Sequence, residues 1–380
     1  MDGSIAQTSI SLNAASVRNA LRLIKPACPS RYTVPPRLGI TSHHGQAALT
    51  GRDLEMEITV ALEEPYRPFS GALPHRELAA LLRPRKVEET VSLVHTGETS
   101  VKIMLPDASA SIIASQTDFG ARLKEKEQSG ISARIDAKPL AKALELVSGV
   151  MSTEETRYYL NGVFIQPHAT DFTALNFVAT DGHRLVAHTV TGLRHNFTTG
   201  IIVPRDAVNA LRALLAAYPN ATLQMNMHGD MTVNITHSSF ELATKLIDGA
   251  FPDYTRVIPQ GSPQAAIMDA TAMRRFLLRV GAVGWRGPNG IKITTKKGSD
   301  KVLLSWASSD IGTLTTAIDG RCDRNLEIGF QSHYLSHMLG ILKTPQITMY
   351  TPEGTHPTIF TGAAELADPL TTIVLMPLRL

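Results

Sequence analysis

The amino-acid sequence predicts an α+β protein built from three repeated domains, each with two helices packed on antiparallel β-sheets. Two helical patterns recur in the same order three times, roughly every 125 to 130 residues. Short β-branched segments of alternating polarity lie between and after them, separated by Gly, Asn, Asp and Pro. A doubly wound fold would instead alternate single helices with strands.

Each repeat begins with a helix whose apolar residues recur at positions i, i+3, i+4 and i+7. These are Val17, Ala20, Leu21 and Ile24; Leu140, Ala143, Leu144 and Val147; and Met273, Phe276, Leu277 and Val280. The second helix of each repeat carries Leu78, Leu81 and Leu82; Ala207, Ala210, Leu211 and Leu214; and Leu335, Met338, Leu339 and Leu342. Because the repeats share little identity, a chance coincidence of common amphipathic stripes is the alternative.

The predicted strands are the segments "NGVFIQP", "ATLQMNM", "MTVNIT", "IKITTK", "QITMYT" and "PTIFTG". The charged segment "ARLKEKEQSG" at 121–130 precedes the second repeat, and "PQGSPQ" at 259–264 precedes the third. We therefore expect domains at residues 1–128, 131–259 and 264–380.

The composition is that of an ordinary globular protein of 380 residues, with 43% hydrophobic and 19% charged residues and a net charge of +3. No apolar run is long enough for a membrane span, and the N-terminal residues lack a signal or transit pattern. Two cysteines, Cys28 and Cys322, are too few for a disulfide framework or a paired zinc motif. These features predict a cytoplasmic protein without a membrane segment.

The polar faces of the predicted helices are basic. Arg18, Arg22 and Lys25 share one side of the first helix, at spacings that place them away from its apolar stripe. The other helices carry Lys138 and Lys142; Arg274, Arg275 and Arg279; Arg76 and Arg83; and Arg205 and Arg212. Basic helices suit a phosphate backbone, which they contact without reading sequence. Solubilising surface residues are the alternative.

One segment, "NFVATDGHRLVAHTV" at 176–190, has an acid, a histidine and an arginine close together. In a hydrolase, Asp181 could serve as an orienting carboxylate or a metal ligand, and His183 as a base. However, the sequence contains no metalloprotease, nucleophile-elbow, phosphate-loop or dinucleotide motif, and the other histidines have no metal-ligand spacing. The alternative is a hairpin with "DG" as a two-residue turn, which leaves His183 and Arg184 free to project. The sequence indicates no metal or cofactor.

Several segments resemble the beta subunits of bacterial DNA polymerase III, the sliding clamps. They are "RYYLNGVF" at 157–164, "VATDGHRLVA" at 178–187, "KLIDGAFPDYTRVIP" at 245–259 and "VLMPLRL" at 374–380, with a similar "LTGRDLEMEI" at 49–58. The segments occur in order along essentially the whole chain, so the resemblance is specific.

The resemblance implies a non-enzymatic processivity factor. Two three-domain protomers would join head to tail, each forming half of a closed ring around duplex DNA, with helices lining the hole. The likeness places Arg31, Tyr158 and Tyr159 at the DNA, and the basic faces add Arg18, Arg22, Lys142, Arg205 and Arg275. The alternative role for both tyrosines is a buried place in a hairpin.

The resemblance also implies a groove between the second and third domains that binds short extended peptides. Its partners would be the DNA polymerase III alpha subunit, the clamp loader, and other polymerases and repair proteins. The expected groove residues are Leu160, Thr180, Gly182, His183, Arg184, Leu185, Pro252, Arg256, Val257, Trp285, Tyr334, Val374, Leu375, Met376, Pro377 and Leu378.

Four features depart from the family pattern. The isoelectric point near 8.8 is unusually high. Glu154 places a carboxylate near the two tyrosines, and Trp285 would narrow the groove. The segment "PDASASII" at 106–113 offers few large apolar side chains for a dimer interface. A scaffold that binds proteins but no longer encircles DNA is therefore a further hypothesis.

Overall fold

The computed structural model describes residues 9–28, 37–67, 69, 72–83, 89–96, 100–113, 128–229, 231–283, 290–362 and 368–379. It separates into two compact units, one of residues 1–142 with 192–248 and the other of residues 143–191 with 249–380. Since the unit limits differ from the expected domain limits, the division into three domains stays a prediction.

The described helices follow the order expected from the sequence. They are α1 (Ala14–Ile24), α2 (His75–Leu82), α3 (Ala137–Ser148), α4 (Arg205–Ala217), α5 (Ala270–Val283) and α6 (Ser332–Leu342). Short 3₁₀ helices span Lys25–Ala27, Glu155–Leu160 and Tyr254–Val257.

The strands account for most of the remaining described chain. They are β1 (Ser9–Asn13), β2 (Arg37–His43), β3 (Gln46–Arg52), β4 (Met56–Pro65), β5 (Ala72–Pro74), β6 (Thr90–His95), β7 (Ser100–Met104), β8 (Ser109–Ile113), β9 (Gln128–Asp136), β10 (Gly162–Pro167), β11 (Leu175–Thr180), β12 (Arg184–Val190), β13 (Arg194–His195), β14 (Ile201–Pro204), β15 (Thr222–His228), β16 (Thr232–His237), β17 (Phe240–Lys245), β18 (Gln264–Asp269), β19 (Gly290–Thr295), β20 (Lys301–Ser308), β21 (Gly312–Cys322), β22 (Leu326–Gln331), β23 (Gln346–Tyr350), β24 (Thr358–Gly362) and β25 (Thr371–Leu375).

Antiparallel sheets form both units. In the first unit, one sheet has the order β13-β9-β15-β16-β17-β4-β3-β2-β5 and another the order β1-β6-β7-β8. The second unit contains the run β10-β11-β12-β25-β24-β23-β18-β21-β20-β19-β22. Each segment expected to form a strand does so, and the α+β prediction is confirmed.

The apolar stripes of the helices enter the core, which is why these sequences form helices where they do. All twelve residues of the first series are buried, as are Leu78, Leu82, Leu335, Met338, Leu339 and the stripe of α4. Leu81, in the middle of the α2 stripe, and Leu342, at the end of the α6 stripe, are half-buried. The helical periodicity therefore identified the core faces correctly.

Long-range strand pairing joins distant parts of the chain inside each unit. In the first unit β17 pairs with β4, with Thr244 opposite Met56. In the second unit β25 pairs with β12, with Leu375 opposite Arg184. Both pairs are antiparallel, and each brings a late segment of the chain beside a much earlier one.

Arg274 differs from the other arginines on the polar face of α5. Its guanidinium donates hydrogen bonds to the carbonyl oxygens of Leu339 at 2.8 Å and of Thr344 at 3.4 Å. A cation near the last turn of α6 also interacts favourably with the helix dipole. Arg274 therefore supports the packing of α5 and α6, whereas the neighbouring Arg275 is exposed.

We expect Arg274→Met to lower the free energy of unfolding by about 1–2 kcal/mol, because carbonyl groups lose a charged hydrogen-bond donor. Arg275→Met is the matched control on the same helix and should change the free energy by less than about 0.5 kcal/mol. Urea unfolding measures both values. Equal effects of the two substitutions would show that the Arg274 contacts do not stabilise the helix pair.

Candidate functional site

The predicted hairpin around Asp181 is confirmed, but its loop has three residues, Asp181 to His183, between β11 and β12. Asp181 Oδ1 accepts hydrogen bonds from the backbone amides of His183 and Arg184, both at 3.0 Å. Thr180 Oγ1 accepts from the Gly182 amide at 3.1 Å and donates to the Arg184 carbonyl at 2.8 Å. These contacts, with Gly182 at φ +87°, fix the loop.

Arg184 is held in place rather than free to project. Its Nε donates to Asp181 Oδ2 at 2.8 Å, and its Nη2 donates to the carbonyl of Gly149 at 3.0 Å. The guanidinium carbon lies 4.7 Å from the ring centroid of Tyr334, in a cation–π contact. His183 is exposed, and its ring stacks on Tyr334 at 5.9 Å with an interplanar angle of 21°.

The polar side chains of this loop hold a fixed surface in place. One Asp181 oxygen accepts from two backbone amides and the other accepts from Arg184, so both oxygens stabilise the turn. Within the described ranges, no group of three His, Cys, Asp or Glu residues could hold a metal ion. The cysteines are not activated nucleophiles, because burial raises the pKa of Cys28 to about 12 and also raises that of Cys322.

A cavity of about 160 Å³ lies beside the loop, within the second unit. Four segments of the chain line it: the end of the second 3₁₀ helix, the β11–β12 hairpin, residues 252–257 and the end of β25. The lining residues are Leu160, Thr180, Gly182, Arg184, Leu185, Pro252, Asp253, Tyr254, Val257, Val374 and Met376.

The floor of the cavity belongs to the hydrophobic core. Val178, Leu185, Tyr254 and Val374 form a buried cluster. Burial raises the pKa of Tyr254, whose hydroxyl oxygen accepts a 2.8 Å hydrogen bond from Gln166 Nε2. The mouth, in contrast, exposes apolar side chains, with Val257 at 41% and Met376 at 39%.

Backbone hydrogen bonds fix the last wall of the cavity. The Met376 amide donates to the carbonyl of His183 at 2.8 Å, directly after the β25–β12 pairing. The Leu378 amide donates to Gly329 at 2.8 Å. The apolar end of β25 is therefore held against the hairpin loop.

The structure brings together nine of the expected groove residues as cavity lining, namely Leu160, Thr180, Gly182, Arg184, Leu185, Pro252, Val257, Val374 and Met376. His183 and Tyr334 form the adjoining wall, and Arg256 pairs with Asp253 at 2.9 Å on the rim. Leu375 is buried, while Pro377 and Leu378 continue from the cavity toward Gly329. Trp285 lies outside the described residues.

Sequence reasoning missed Asp253 and Tyr254 in the lining. Asp253 starts the third 3₁₀ helix by accepting a hydrogen bond from the Thr255 amide. The side-chain hydroxyl of Thr255, followed by Arg256, also lowers the pKa of Asp253. The "PDYT" segment carries a recognisable turn signal, an aspartate two residues before its threonine, that could have located this wall.

The residues expected at DNA lie on several elements. Tyr158 is 51% exposed and Tyr159 half-buried, in the second 3₁₀ helix, with their rings edge to face at 5.8 Å. This placement does not fit a buried hairpin role for Tyr158. Arg22, Lys142 and Arg275 are exposed, and Arg18 and Arg205 are half-buried. Arg31 lies outside the described residues.

Comparisons with known proteins agree with this geometry. Residues 134–253 match the family described as DNA polymerase III beta subunit, central domain. The beta sliding clamp of Pseudomonas putida is 26% identical, over 95% of this chain and 96% of that protein. The beta sliding clamp of Caulobacter vibrioides is 27% identical, over 97% of this chain and 99% of that protein.

A solved structure extends the likeness to three dimensions. The DnaN sliding clamp, DNA polymerase III subunit beta, of Bartonella birtlesii bound to griselimycin superposes with a TM-score of 0.88 at 25% identity. The match covers 98% of this chain and all of that one. Over essentially its whole length the chain is similar to beta sliding clamps in sequence and in fold. Beta sliding clamps are non-catalytic processivity factors, so a hydrolase using Asp181 and His183 is not supported.

The hairpin is anchored on Gly149, whose carbonyl oxygen accepts a hydrogen bond from Arg184. A β-carbon at this position would overlap the ring of His337. We expect Gly149→Ala to lower the free energy of unfolding by about 1–3 kcal/mol, because the ring must move out of a packed site. Urea unfolding provides the measurement.

Two further variants control for this substitution. Gly340→Ala, in open space on α6, should raise the free energy of unfolding by about 0.5–1 kcal/mol. Adding His337→Ala to Gly149→Ala should restore most of the lost stability. No restoration would mean that the His337 ring is not the obstacle.

Proposed function

We propose that this clamp homologue is a cytoplasmic, ring-shaped homodimer that encircles duplex DNA without sequence specificity and tethers the replicative polymerase. The observation that carries the proposal is likeness to beta sliding clamps along essentially the whole chain. Within the described residues, none of the helices has the length and apolar character of a membrane span.

The strand pairing inside the chain supports a head-to-tail dimer. The last strand of a repeat pairs with an earlier hairpin strand twice, as β17 with β4 and as β25 with β12. The equivalent strand of the first repeat is β8, which the described structure pairs with β7 alone. The equivalent receiving strand is β21, of which only residues 320–322 pair with β18.

Within one chain, strand pairing joins the first repeat to the second and the second to the third. Pairing of β8 with residues 312–319 of β21 in a second copy would add the equivalent contact between two chains. Ile113 at the end of β8 is 74% exposed, which a partner strand would cover. Uncovered strand edges of this kind promote uncontrolled association unless a defined partner occupies them. Because backbone groups make this contact, the shortage of large side chains at 106–113 does not argue against a dimer.

Two copies joined in this way would share two of these strand-pairing interfaces and form a closed ring. Basic side chains suited to the duplex would be Arg18, Arg22, Arg31, Lys142, Arg205 and Arg275, with Tyr158 and Tyr159 beside them. Contacts to phosphates alone keep binding independent of sequence and let the ring slide. Topological linkage then replaces tight binding as the source of retention.

We expect the protein to stay on nicked circular DNA and to leave after the circle is linearised, since only a closed ring is topologically trapped. Ser111→Lys should abolish retention and yield monomers at micromolar concentration, because lysine on an edge strand opposes pairing. Gel filtration of protein–DNA complexes and solution mass report these outcomes.

Ala169→Lys, on an exposed turn, is the matched control and should retain both properties. Release from circular and linear DNA at the same rate would favour the alternative of a protein-binding scaffold that does not encircle DNA. A monomeric wild-type protein would contradict the ring.

The cavity supports a second part of the proposal, the docking of short extended peptides. Its apolar floor and solvent-exposed mouth suit a peptide with leucine and phenylalanine anchors and a polar residue such as glutamine. Met376 has a flexible side chain that adapts to different anchors. The proposed partners are the DNA polymerase III alpha subunit, the clamp loader, and other polymerases and repair proteins.

We expect Met376→Lys and Val257→Asp each to weaken binding of such a peptide at least about tenfold, because each places a charge at the mouth of an apolar cavity. Leu370→Lys is the control, since Leu370 is 38% exposed but does not line the cavity. Fluorescence polarisation of a labelled peptide measures the affinities. Equal binding by all three variants would exclude the cavity as the docking site.

A further inference from the structure

Three histidines meet where two hairpin turns of the first unit lie side by side. His43 ends β2, His44 begins the β2–β3 turn, and His237 ends β16 before the β16–β17 turn. His43 is buried, and its Nε2 donates a 2.8 Å hydrogen bond to the carbonyl oxygen of His237. The rings of His43 and His44 lie 4.5 Å apart between centroids. These three residues are called the histidine cluster below.

The β16–β17 turn depends on a neutral His237. The Nδ1 atom of this residue accepts a 3.2 Å hydrogen bond from the Ser239 amide, so Nδ1 carries no proton. The Ser239 carbonyl oxygen accepts from the Ala61 amide at 2.8 Å, at the end of the pairing between β17 and β4. A proton on Nδ1 would place two donors against each other. Protonation would therefore break a contact that holds one end of this strand pairing.

The β2–β3 turn also relies on contacts with its surroundings. Its two residues, His44 and Gly45, have φ values of +50° and +81°. Side chains other than glycine rarely adopt this conformation, so neighbouring contacts must hold His44 in place. The Gly45 carbonyl oxygen accepts from the Tyr66 amide at 3.1 Å, and the preceding His43 donates to His237. Loss of the contact with His237 would leave a strained turn less well held.

The charges that act on His237 are those of the other two histidines. Burial, followed by the charges of His43 and His44, lowers the pKa of His237 below the ordinary histidine value of 6.5. Because an open, solvated His237 would bind the proton more readily, the cluster stabilises the fold fully above about pH 6.5 and loses its contribution below that value. At the end of α4, the Tyr218 ring lies 6.4 Å from that of His237, and the charge of Arg22 on α1 acts on the Tyr218 hydroxyl.

The acidic residues near the cluster lie on the adjoining strands β4 and β17. They are Glu63, Glu64 and Glu241. Glu64 accepts a hydrogen bond from the Asn13 amide and Glu241 accepts one from the Asn234 side chain, whereas Glu63 is exposed. Since histidine is the side chain that gains charge in mild acid, acidification would bring like charges together inside the cluster.

We propose that the histidine cluster is a pH-sensitive contact between the β2–β3 and β16–β17 turns, closed when its members are neutral and open in mild acid. Opening would fray the pairing of β17 with β4 from one end and loosen the first unit locally. Histidines at a contact between two elements couple structure to pH in the range of about 5 to 8. The contact lies within the first unit, so it is independent of the cavity and of ring formation.

Hydrogen exchange of the full chain, followed by mass spectrometry at about pH 7.5 and about pH 5.5, measures local opening. After correction for the intrinsic pH dependence of exchange, peptides spanning residues 37–46 and 232–241 should exchange about three- to tenfold faster at the lower pH. Peptides spanning residues 301–319, the β20–β21 hairpin of the second unit, contain no histidine and should change less than about twofold.

Substitutions then assign the effect to the cluster. An asparagine side-chain oxygen accepts from the amide two residues further on, as His237 Nδ1 does, but it carries no charge. His237→Asn should therefore keep the turn and exchange at nearly the same corrected rate at both pH values. His44→Asn removes another charge and tolerates positive φ, so it should reduce the pH effect about twofold. His168→Asn, in the second unit, should leave the effect unchanged, although the ring of His168 also accepts from a backbone amide.

Three results would overturn the proposal: equal corrected exchange of the wild-type turns at both pH values, full acceleration in His237→Asn, or equal acceleration of the β20–β21 hairpin, which would indicate general destabilisation by acid. If His237→Asn does not fold, His44→Asn decides the question, and an undiminished pH effect in that variant would contradict the proposed contact.

Discussion

The antiparallel pairing of β25 with β12 is the contact on which the candidate site depends. It places residues 371–375 beside residues 184–188, although nearly two hundred positions separate them in the chain. This pairing brings together two apolar walls of the cavity, one that includes Leu185 and one that includes Val374. The Met376 amide extends it to the carbonyl of His183. Loss of this register would separate the walls and leave their apolar residues without a common pocket.

In the first unit, equivalent backbone hydrogen bonds hold a loop that carries different side chains. The Lys245 amide donates to the Glu55 carbonyl at 2.9 Å, as the Met376 amide does to His183. Asp53 accepts from the amides of Glu55 and Met56, as Asp181 accepts from those of His183 and Arg184.

The side chains on this framework differ in kind. Where the second unit has Thr180 and Leu185, the first has Arg52 and Glu57, which form a buried ion pair at 2.7 Å. A buried ion pair breaks only at a large free-energy cost, so this surface does not suit an apolar ligand. Equivalent backbone hydrogen bonds thus frame an apolar cavity in the second unit and a structural ion pair in the first.

Local patterns in the sequence were sufficient for much of the fold. The spacing of Val17, Ala20, Leu21 and Ile24 determines which face of α1 is buried, and "TDG" determines a hairpin, because both depend on neighbours within a few residues. The role of Arg274 could not be inferred in this way, since its acceptors lie about 65 to 70 positions further along the chain. The cavity posed the same difficulty, because four distant segments line it and only a family resemblance connected them.

The size of the cavity limits what can enter it. A space of about 160 Å³ accommodates one benzene-sized group. Below it, Val178 and Tyr254 are part of the packed interior, so the space cannot deepen without disrupting that packing. A second large group on the same ligand would therefore contact Val257 and Met376, whose exposed side chains lie at the mouth. The enclosed space admits any single ring or branched aliphatic chain of suitable size. Selectivity among ligands would then depend mainly on how the side chains at the mouth adapt.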